Sequence, residues 1–478
     1  MSQQQSNDVE EPVVTEDAIS IPKPRGMKTI EVDDELMQDI RELAREKAGT
    51  ILLNILTDLH AADIGEIVNR LDQEDREFIF NLFDNETASS VLLELDPAVR
   101  QELLELLPSE KISNYVGFLA SDDATDVVAE LEPQVAEEVL EAMPKEDSAE
   151  VKELLQYAED TAGGIMGTEF VSVHNNDTIH RAIRAVREQA KEQQTIYHVY
   201  VVNDDGALVG MMPLQSLVLT SPYRRVYKVM EQDVKSVRTD MDQEEVAVMF
   251  RKYDLITVPV IDSEGKLVGQ ITIDDIVDVI EQEHSEDVAR MVGSDAEELE
   301  HRSPAQIAML RLPWVLITLL LEFVAGMVVH FFDATLSKVI LLASFMPIIS
   351  ALSGNTGLQS AAIVVRGIAT GHVSLDRWWQ PVIRQFQTTL IIGSVCGFVL
   401  GGIAGAWQGK IAFGLVVGLS MFISINISGF VGTCTPMISK RLGFDPAMTA
   451  GPFETAFQDV IGITLFLSMA TAMLRWIA

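Results

Sequence analysis

Residues 445–478 have the sequence DPAMTAGPFETAFQDVIGITLFLSMATAMLRWIA, and this stretch decides the fold class. A helix needs about 20 mainly apolar residues to cross a bilayer, and residues 452–476 supply them after a proline suited to the first turn. Asp459 lies about two turns inside this predicted helix. A carboxylate at bilayer depth costs about 2.5 to 3.5 kcal/mol. We therefore expect Asp459 to face a water-filled cavity or the interior of a helix bundle.

The helical face that carries Asp459 offers only oxygen ligands. Thr455 precedes Asp459 by four residues and shares its face. Pro452 has no N–H group, so we expect it to leave a backbone carbonyl near Gly451 unpaired. Carboxylate, hydroxyl and carbonyl oxygens suit Mg²⁺, Ca²⁺ or Mn²⁺ rather than a thiolate-bound metal. The sequence predicts a cation site at Asp459, Thr455 and Gly451; the alternative is a solvated or paired acid near a helix end.

Charge divides the chain into two unlike parts. The chain has 72 acidic and 35 basic residues, but only six acids and eight bases follow residue 311. Residues 1–311 therefore hold 66 acids and 27 bases, a formal charge of −39. Such an acidic part repels nucleic acid and attracts cations. We expect divalent cations as partners and no nucleic acid.

The compartment and the chemistry follow from what the sequence contains. The N-terminus has neither a basic segment nor an apolar core, so we predict no signal peptide and a cytoplasmic acidic part.

Cys396 and Cys434 lie in apolar runs and are interpreted as small hydrophobic residues rather than a metal or redox pair. No P-loop, nucleophile elbow or His/Cys metal signature appears, and we predict no enzymatic activity.

The acidic part begins with a helical repeat. Residues 1–26 are polar and aperiodic and predict a disordered tail. Residues 27–160 contain TASSVLLELDPAVRQELLELLP, ending at Pro108, and TDVVAELEPQVAEEVLEAMP, ending at Pro144, 36 positions later. In each copy one apolar helix ends at a Leu-acid-Pro turn and a second follows. The pattern predicts an acidic α-helical superhelical domain whose repeats bury their apolar faces by stacking.

A second repeat occupies residues 161–283. The segments YHVYVVNDDGALVGMMPLQSLVL, from residue 197, and ITVPVIDSEGKLVGQITIDDIVDVI, from residue 256, each predict strand, glycine turn, strand and helix. This repeat resembles a tandem pair of CBS domains, which fold as a pseudo-twofold α/β module. The alternative is a scaffold repeat that binds no ligand.

The membrane part is reached through a charged segment. Residues 284–311 predict a linking helix that leads directly into the first apolar run. Five spans follow, at about 313–332, 339–365, 386–407, 411–437 and 452–476. With the N-terminus inside, most basic loop residues are cytoplasmic and the C-terminus lies outside. The predicted fold class is multidomain: superhelical domain, tandem CBS module, linking helix, and a five-helix transmembrane domain at residues 312–478.

Polar residues also mark other spans. The second span contains SGNTGLQ at residues 353–359, in which Asn355 and Gln359 share a helical face. We predict that both line a pore; the alternative is polar contact between helices. Glu322 in the first span has no predicted role.

Acidic helical repeats, the TAGGIM junction at 161–166, two CBS copies, a linking helix and five spans with SGNTGLQ and GPFETAFQD together resemble the MgtE-type magnesium channels. The resemblance covers nearly the whole chain beyond the tail. It implies a homodimer in the plasma or inner membrane, with a pore along the twofold axis lined by the second and fifth spans. It also implies that Asp459 of both subunits holds a hydrated Mg²⁺.

The resemblance further implies that cytoplasmic Mg²⁺ closes the channel by binding to clustered acids, although each acid could instead be a solvated surface charge. The matching positions are Asp122, Asp126, Asp242, Glu244, Asp254, Asp275, Asp278, Glu283, Glu286 and Asp287. CBS pairs of this family can bind ATP, and no residue here is assigned to ATP. Two alternatives stay open: a membrane-anchored CBS nucleotide sensor, and the same channel with Co²⁺, Mn²⁺ or Ca²⁺ as its main ion.

Overall fold

The computed structural model describes residues 32–190, 195–294 and 304–477. The predicted tail, residues 1–26, lies outside these described residues. The chain divides into two compact units, the first ending at Phe118 and the second beginning at Leu119.

Short helices build the described part of the first unit. They are α1 (Asp34–Arg45), α2 (Gly49–Leu56), α3 (Ala61–Asn69), α4 (Gln73–Phe80), α5 (Asn85–Leu93), α6 (Pro97–Leu106) and α7 (Ser109–Val116). Asp84 begins α5 by accepting a hydrogen bond from the Thr87 N–H at 2.8 Å. The apolar faces meet around the buried Phe80 ring, which contacts Phe83 and Tyr115 edge-on.

The second unit begins with further helices of the repeat, and two α/β motifs follow them. Its first helices are α8 (Ser121–Ala129), α9 (Pro133–Ala142) and α10 (Lys145–Leu154). Pro97 is the first residue of α6, and Pro133 is the first residue of α9. Proline suits this position because its φ is already helical and the N–H that it lacks would have no partner in the helix. The Leu-acid-Pro turns therefore begin helices, as the sequence predicts.

Two small α/β motifs follow. The first contains β1 (Ser172–His174), α11 (Ile179–Gln189), β2 (His198–Val202), β3 (Leu208–Pro213) and α12 (Leu214–Leu219). The second contains β4 (Val237–Arg238), α13 (Gln243–Tyr253), β5 (Thr257–Ile261), β6 (Leu267–Thr272) and α14 (Ile273–Met291). In each sheet the middle strand is parallel to the first strand and antiparallel to the third. The repeated topology corresponds to the two copies seen in the sequence.

The two sheets meet at their hairpin turns. The Leu208 N–H donates to the Gly265 carbonyl at 3.1 Å, and the Leu267 N–H donates to the Gly206 carbonyl at 3.2 Å. Gly206 and Gly265 have φ values of +81° and +82°, a region that residues with side chains disfavour. The reciprocal bonds relate the two copies by an approximate twofold axis.

Helix α14 extends well past the second motif. The segment EQEHSED at 281–287 contains neither Gly nor Pro, and the helix continues until shortly before Gly293, whose φ is +75°. The predicted linking helix, 284–311, thus starts inside α14. Its residues 295–303 lie outside the described residues, and residues 304–311 belong to the next helix.

Five helical segments of the described chain are long and apolar enough to cross a membrane. Four are single helices: α15 (Pro304–Phe331), α17 (Leu342–Ala369), α18 (Trp379–Gln408) and α19 (Ile411–Arg441). The fifth combines α20 (Pro446–Thr449) and α21 (Pro452–Ala472), and the short helices α16 (Asp333–Leu336) and α22 (Leu474–Ile477) lie between and after the spans. The predicted number of spans is confirmed.

Glycines set how closely the spans pack. A Cβ at Gly397 would lie 2.6 Å from the Gly418 carbonyl oxygen, and a Cβ at Gly401 would lie 2.8 Å from that of Gly414. Helices α18 and α19 therefore touch through their backbones, which is typical of helix pairs in membranes. Helices α17, α19 and α21 share a core, whereas Ala325 is the buried residue among those described in α15.

Candidate cation site

Asp459 lies on α21 where this helix faces α17. Ser350 Oγ donates a hydrogen bond to Asp459 Oδ1 at 2.5 Å. Asp459 is half-buried, and so is Thr455 one turn earlier. The structure thus brings this predicted pair together on one face of the spanning helix. A carboxylate and a hydroxyl at this face are hard oxygen ligands suited to Mg²⁺ or Ca²⁺.

Gly354 allows α21 to approach α17 at this point. A Cβ at Gly354 would lie 3.1 Å from Thr455 Cγ2 and 3.8 Å from Asp459 Oδ1. Gly354 itself is buried, whereas Asn355 and Gln359, the predicted pore-lining residues, are exposed in the single chain. These two side chains therefore lie on the part of α17 that the other spans leave uncovered.

Gly451 lies under the end of α14, one turn before Thr455. A Cβ at Gly451 would collide with the Met291 carbonyl oxygen. The Gly451 carbonyl oxygen accepts a long hydrogen bond from the Thr455 N–H, at 3.4 Å. Gly451 therefore does not itself provide the unpaired carbonyl expected near Pro452. Helix α14, which continues from the second α/β motif, covers the start of the helix that carries Asp459.

Two acids without a role in the sequence analysis lie next to this site. Glu322 of α15 interacts with the Asp459 side chain. Glu454, in the first turn of α21, is fully buried, and Gln458 Nε2 donates to Glu454 Oε1 at 2.8 Å. The i, i+4 spacing of Glu454 and Gln458 was the only local signal of this pair.

Comparison with known proteins identifies the family to which the chain belongs. The family model MgtE, described as a divalent cation transporter, matches residues 346–469. The MgtE intracellular N domain matches residues 59–160, and the CBS domain matches 162–219 and 226–282. A magnesium transporter MgtE of Enterococcus faecalis is 37% identical over 421 residues, which are 87% of this chain and 92% of that protein. The chain belongs to the MgtE family. The predicted family and fold class are confirmed.

Further likenesses to MgtE proteins cover much of the chain. The magnesium transporter MgtE of Thermus thermophilus is 32% identical over 449 residues, 93% of this chain and 100% of that protein. A crystal structure described as the cytosolic domain of the Mg²⁺ channel MgtE in complex with ATP is 34% identical and covers 51% of this chain and 99% of its own, with a TM-score of 0.49.

In this MgtE family member some of the predicted regulatory acids gather around α8. The α8–α14 cluster consists of Asp122, Asp123, Glu169 and Asp275. Burial, followed by the charge of Asp275, raises the pKa of Asp122 well above its usual value. Burial and then Asp275 raise the pKa of Asp123 to about 7, and Asp126 adds to this shift. The neighbouring charges that shift the pKa values of both acids most are negative, so each acid disfavours ionisation of the others.

Two contacts define the α8–α14 cluster further. The Ser121 N–H donates to Glu169 Oε1 at 2.7 Å, and the Ser121 hydroxyl donates to Glu169 Oε2 at 2.9 Å, which fixes α8 to the segment before β1. Asp122 Oδ1 is buried and has no hydrogen-bond partner among the described residues. The sequence predicted Asp122 and Asp275 but neither Asp123 nor Glu169, because their burial depends on residues far apart in the chain.

A second group of acids lies where α13 and α14 meet the membrane helices, and it includes bases. The α14–membrane cluster consists of Asp242, Glu244, Glu283, Glu286, Asp287 and Asp445 with Arg290 and Lys440. Burial, followed by Asp445 and Glu244, raises the pKa of Asp287 to about 6, while Lys440 lowers it. Burial raises the pKa of Glu283, which accepts a hydrogen bond from Gln243 at 2.6 Å. Lys440 Nζ lies 3.3 Å from Glu244 Oε2.

The remaining predicted acids belong to neither cluster. Asp254 caps the C-terminus of α13 with φ of 51° and is exposed. Burial, followed by Glu281 and Asp274, raises the pKa of Asp278. Across the described residues, no three or more His, Cys, Asp or Glu side chains form a group that could hold a metal ion. The clusters bring acids near one another but do not, among the described residues, form a metal-binding group.

Proposed function

We propose that this chain carries Mg²⁺ across the membrane through a pore that includes Asp459, and that cytoplasmic Mg²⁺ closes the pore. Membership of the MgtE family supports divalent cation transport, and the relatives compared above are named magnesium transporters. The observation that carries the proposal is the half-buried face of α21 with Asp459 and Thr455, one turn apart on a spanning helix.

The chemistry of this face suits a hydrated ion. Mg²⁺ gives up its water ligands reluctantly and usually keeps several of them. Ser350 holds Asp459 Oδ1, which fixes the orientation of the carboxylate in advance of binding. In the proposed homodimer, Asp459 of each chain would face one ion across the twofold axis. The exposed Asn355 and Gln359 would then lie along the same path or against the second chain.

Closure is proposed to act through α14. Its end covers Gly451 at the start of α21. In the α8–α14 cluster, acids repel one another until a cation lies between them. A divalent ion at this cluster would favour the arrangement in which α14 stays over the start of α21. Moving a gate from mostly open to mostly closed takes about 5.5 kcal/mol of differential binding, so we propose that several ions act together.

The proposal also includes the membrane location of the protein, ATP binding and the domain limits. We place the protein in the plasma or inner membrane with residues 1–311 in the cytoplasm and the C-terminus outside. ATP binding at the CBS pair is proposed from the resemblance alone, without assigned residues. The domain limits at residues 26, 160, 283 and 311 are part of the same proposal.

Flux through reconstituted protein tests the transport proposal. The full chain in liposomes should admit Mg²⁺, and comparison with Ca²⁺, Mn²⁺ and Co²⁺ identifies the preferred ion. Asp459→Asn should lower Mg²⁺ flux about tenfold or more, because losing one charged contact costs about 1.5 to 3 kcal/mol. Asp376→Asn, at an exposed position of the short 3₁₀ helix Leu375–Arg377, is the matched control and should not alter flux. Normal flux in Asp459→Asn would contradict the pore; nucleotide binding without divalent flux would favour the sensor instead.

A further inference from the structure

The first two turns of α21 contain a polar pair that faces away from solvent. Glu454 is 0% exposed and Gln458 is 1% exposed. Gln458 Nε2 donates to Glu454 Oε1 at 2.8 Å, and the same nitrogen lies 3.5 Å from the Ser428 carbonyl oxygen of α19. The Thr435 hydroxyl, which donates to the Val431 carbonyl at 2.9 Å, also interacts with the Glu454 carboxyl. The pair therefore joins α21 to α19.

The space for this pair is provided by a glycine of α17. A Cβ at Gly357 would lie 3.2 Å from both Gln458 Cγ and Glu454 Oε1, and 3.3 Å from Ser428 Oγ. Ser428 Oγ donates in turn to the Ser353 carbonyl of α17 at 2.6 Å. Three spanning helices thus meet at the pair, in close contact. Glu454 Oε2 is buried without a hydrogen bond of normal geometry among the described residues.

The pair and the cation face are neighbouring stripes of one helix. Glu454 and Gln458 form one i, i+4 stripe, and Thr455 and Asp459 form the next, about 100° around the helix. An apolar surface alone fixes the rotation of a helix weakly, whereas buried polar groups that contact a neighbouring helix are satisfied in only one orientation. A small rotation of α21 would keep the Glu454–Gln458 bond, which lies within the helix. It would break the contacts of these two side chains with α19, and it would move Asp459 away from Ser350.

We propose that Glu454, together with Gln458, is a positioning residue that sets the rotation of α21 through the contacts of the pair with α19, and so presents Thr455 and Asp459 to the ion. The inference rests on the proposed function. It assigns the role to these polar contacts rather than to the charge of Glu454, so the carboxyl should be replaceable by an amide that keeps the acceptor.

Mg²⁺ flux into liposomes over a range of Mg²⁺ concentrations tests the inference. Glu454→Gln should keep the half-saturating Mg²⁺ concentration within about twofold. Glu454→Leu and Gln458→Leu should raise that concentration about tenfold and lower the ratio of Mg²⁺ to Ca²⁺ flux. Thr464→Val is the matched control, because it removes an exposed hydroxyl of α21 that donates to the Val460 carbonyl of the same helix at 2.6 Å; it should behave as the wild type.

A charge-swap variant keeps the test decisive where Glu454→Leu fails to fold. Gln458→Glu places two carboxyls side by side and should impair transport. The double variant Glu454→Gln with Gln458→Glu restores the bond within α21 but removes the N–H donor that faces the Ser428 carbonyl oxygen of α19, so it should stay impaired. Wild-type half-saturation in both leucine variants, equal damage in Glu454→Gln and Glu454→Leu, or full recovery in the double variant would each overturn the inference. Absence of Mg²⁺ flux in the wild type would instead overturn the proposed function.

Discussion

Arg290 and Asp445, 155 residues apart, are joined by an ion pair between Arg290 Nη1 and Asp445 Oδ2 at 2.5 Å. Asp445 Oδ1 accepts a second hydrogen bond from the Ala447 N–H at 2.7 Å and so caps α20. One carboxylate therefore connects the last turn of α14 to the segment that leads into α21. The contact needs no divalent ion, because Arg290 supplies the positive charge.

The first prediction concerns this ion pair. Asp445→Asn should keep the α20 cap, since Asn is as good a cap as Asp, but should lose the charge that holds Arg290. Both side chains are partly exposed, so we expect a loss of about 1 kcal/mol in the closed state. That corresponds to at most about fivefold more Mg²⁺ for half-closure, and to a smaller shift when several ions act together. The measurement is channel activity against cytoplasmic Mg²⁺.

Two further variants separate the pair from general charge effects. Arg290→Gln should also weaken closure, and it removes the contact of Arg290 with Glu286 as well. The double variant should be no worse than Arg290→Gln alone. Arg187→Gln, an exposed base in the last turn of α11, is the control and should close at the wild-type concentration. Unchanged closure in Asp445→Asn would show that the pair does not hold the closed state.

The second prediction is a pH dependence of the α8–α14 cluster. Burial raises the pKa of Asp123 to about 7, so its protonated form is favoured in the folded protein. The resulting stabilisation is complete below the usual pKa of an Asp and is lost as pH rises through about 7. Without divalents, the protein should therefore melt at a lower temperature at pH 8 than at pH 6, by at least about 2 °C.

Mg²⁺ and substitution of Asp123 should both reduce this dependence. Mg²⁺ competes with protons for the cluster, so it should raise the melting temperature more at pH 8 than at pH 6. Asp123→Asn stays neutral and should flatten the pH dependence, whereas Asp58→Asn, an exposed acid, should not. Circular dichroism of the full chain in detergent measures each transition. A melting temperature that rises with pH in the absence of Mg²⁺ would contradict the prediction.

Local signals explain which parts of the fold were predictable. The Leu-acid-Pro turns predict where helices begin, because the signal lies within a few neighbouring residues. Pro97 and Pro133 begin helices as expected. Asp459 stands out in one sequence because a charge inside a long apolar run is costly. The bounds of the linking helix were harder to predict. Helix α14 continues until shortly before a glycine, and residues 304–311 belong to α15, the first spanning helix.

Other features depend on contacts between distant residues. Glu454 stands in a first turn, where acids are common because they complement the helix dipole, and nothing nearby indicates that Gly357 and Ser428 bury it. The Arg290–Asp445 pair has no local pattern at all. Asp123 differs from other surface acids only because α8 lies against Glu169 and Asp275.

The third prediction is the orientation of the spans. Five spans place the two ends of the chain on opposite sides of the membrane. Arg366 and Lys440, near the ends of α17 and α19, should lie in the cytoplasm by the positive-inside rule. A reporter after Ala478 should therefore be external, and one before Met1 cytoplasmic. Reporters on the same side would show that one of the five helices does not cross.

The last prediction tests the contact between α17 and the cation face. A Cβ at Gly354 would lie 3.1 Å from Thr455 Cγ2, closer than ordinary contact, so a larger side chain must displace either the Thr455 side chain or α21 itself. Overpacking costs about 1 to 3 kcal/mol, and Gly354→Val should lower Mg²⁺ flux about tenfold, with Gly354→Ala intermediate. Gly402→Val is the control, because among the described residues no atom beyond its own stretch of helix lies within 4 Å of a Cβ there. If Gly354→Val transports Mg²⁺ as fast as Gly402→Val, close packing at Gly354 does not position Thr455 and Asp459.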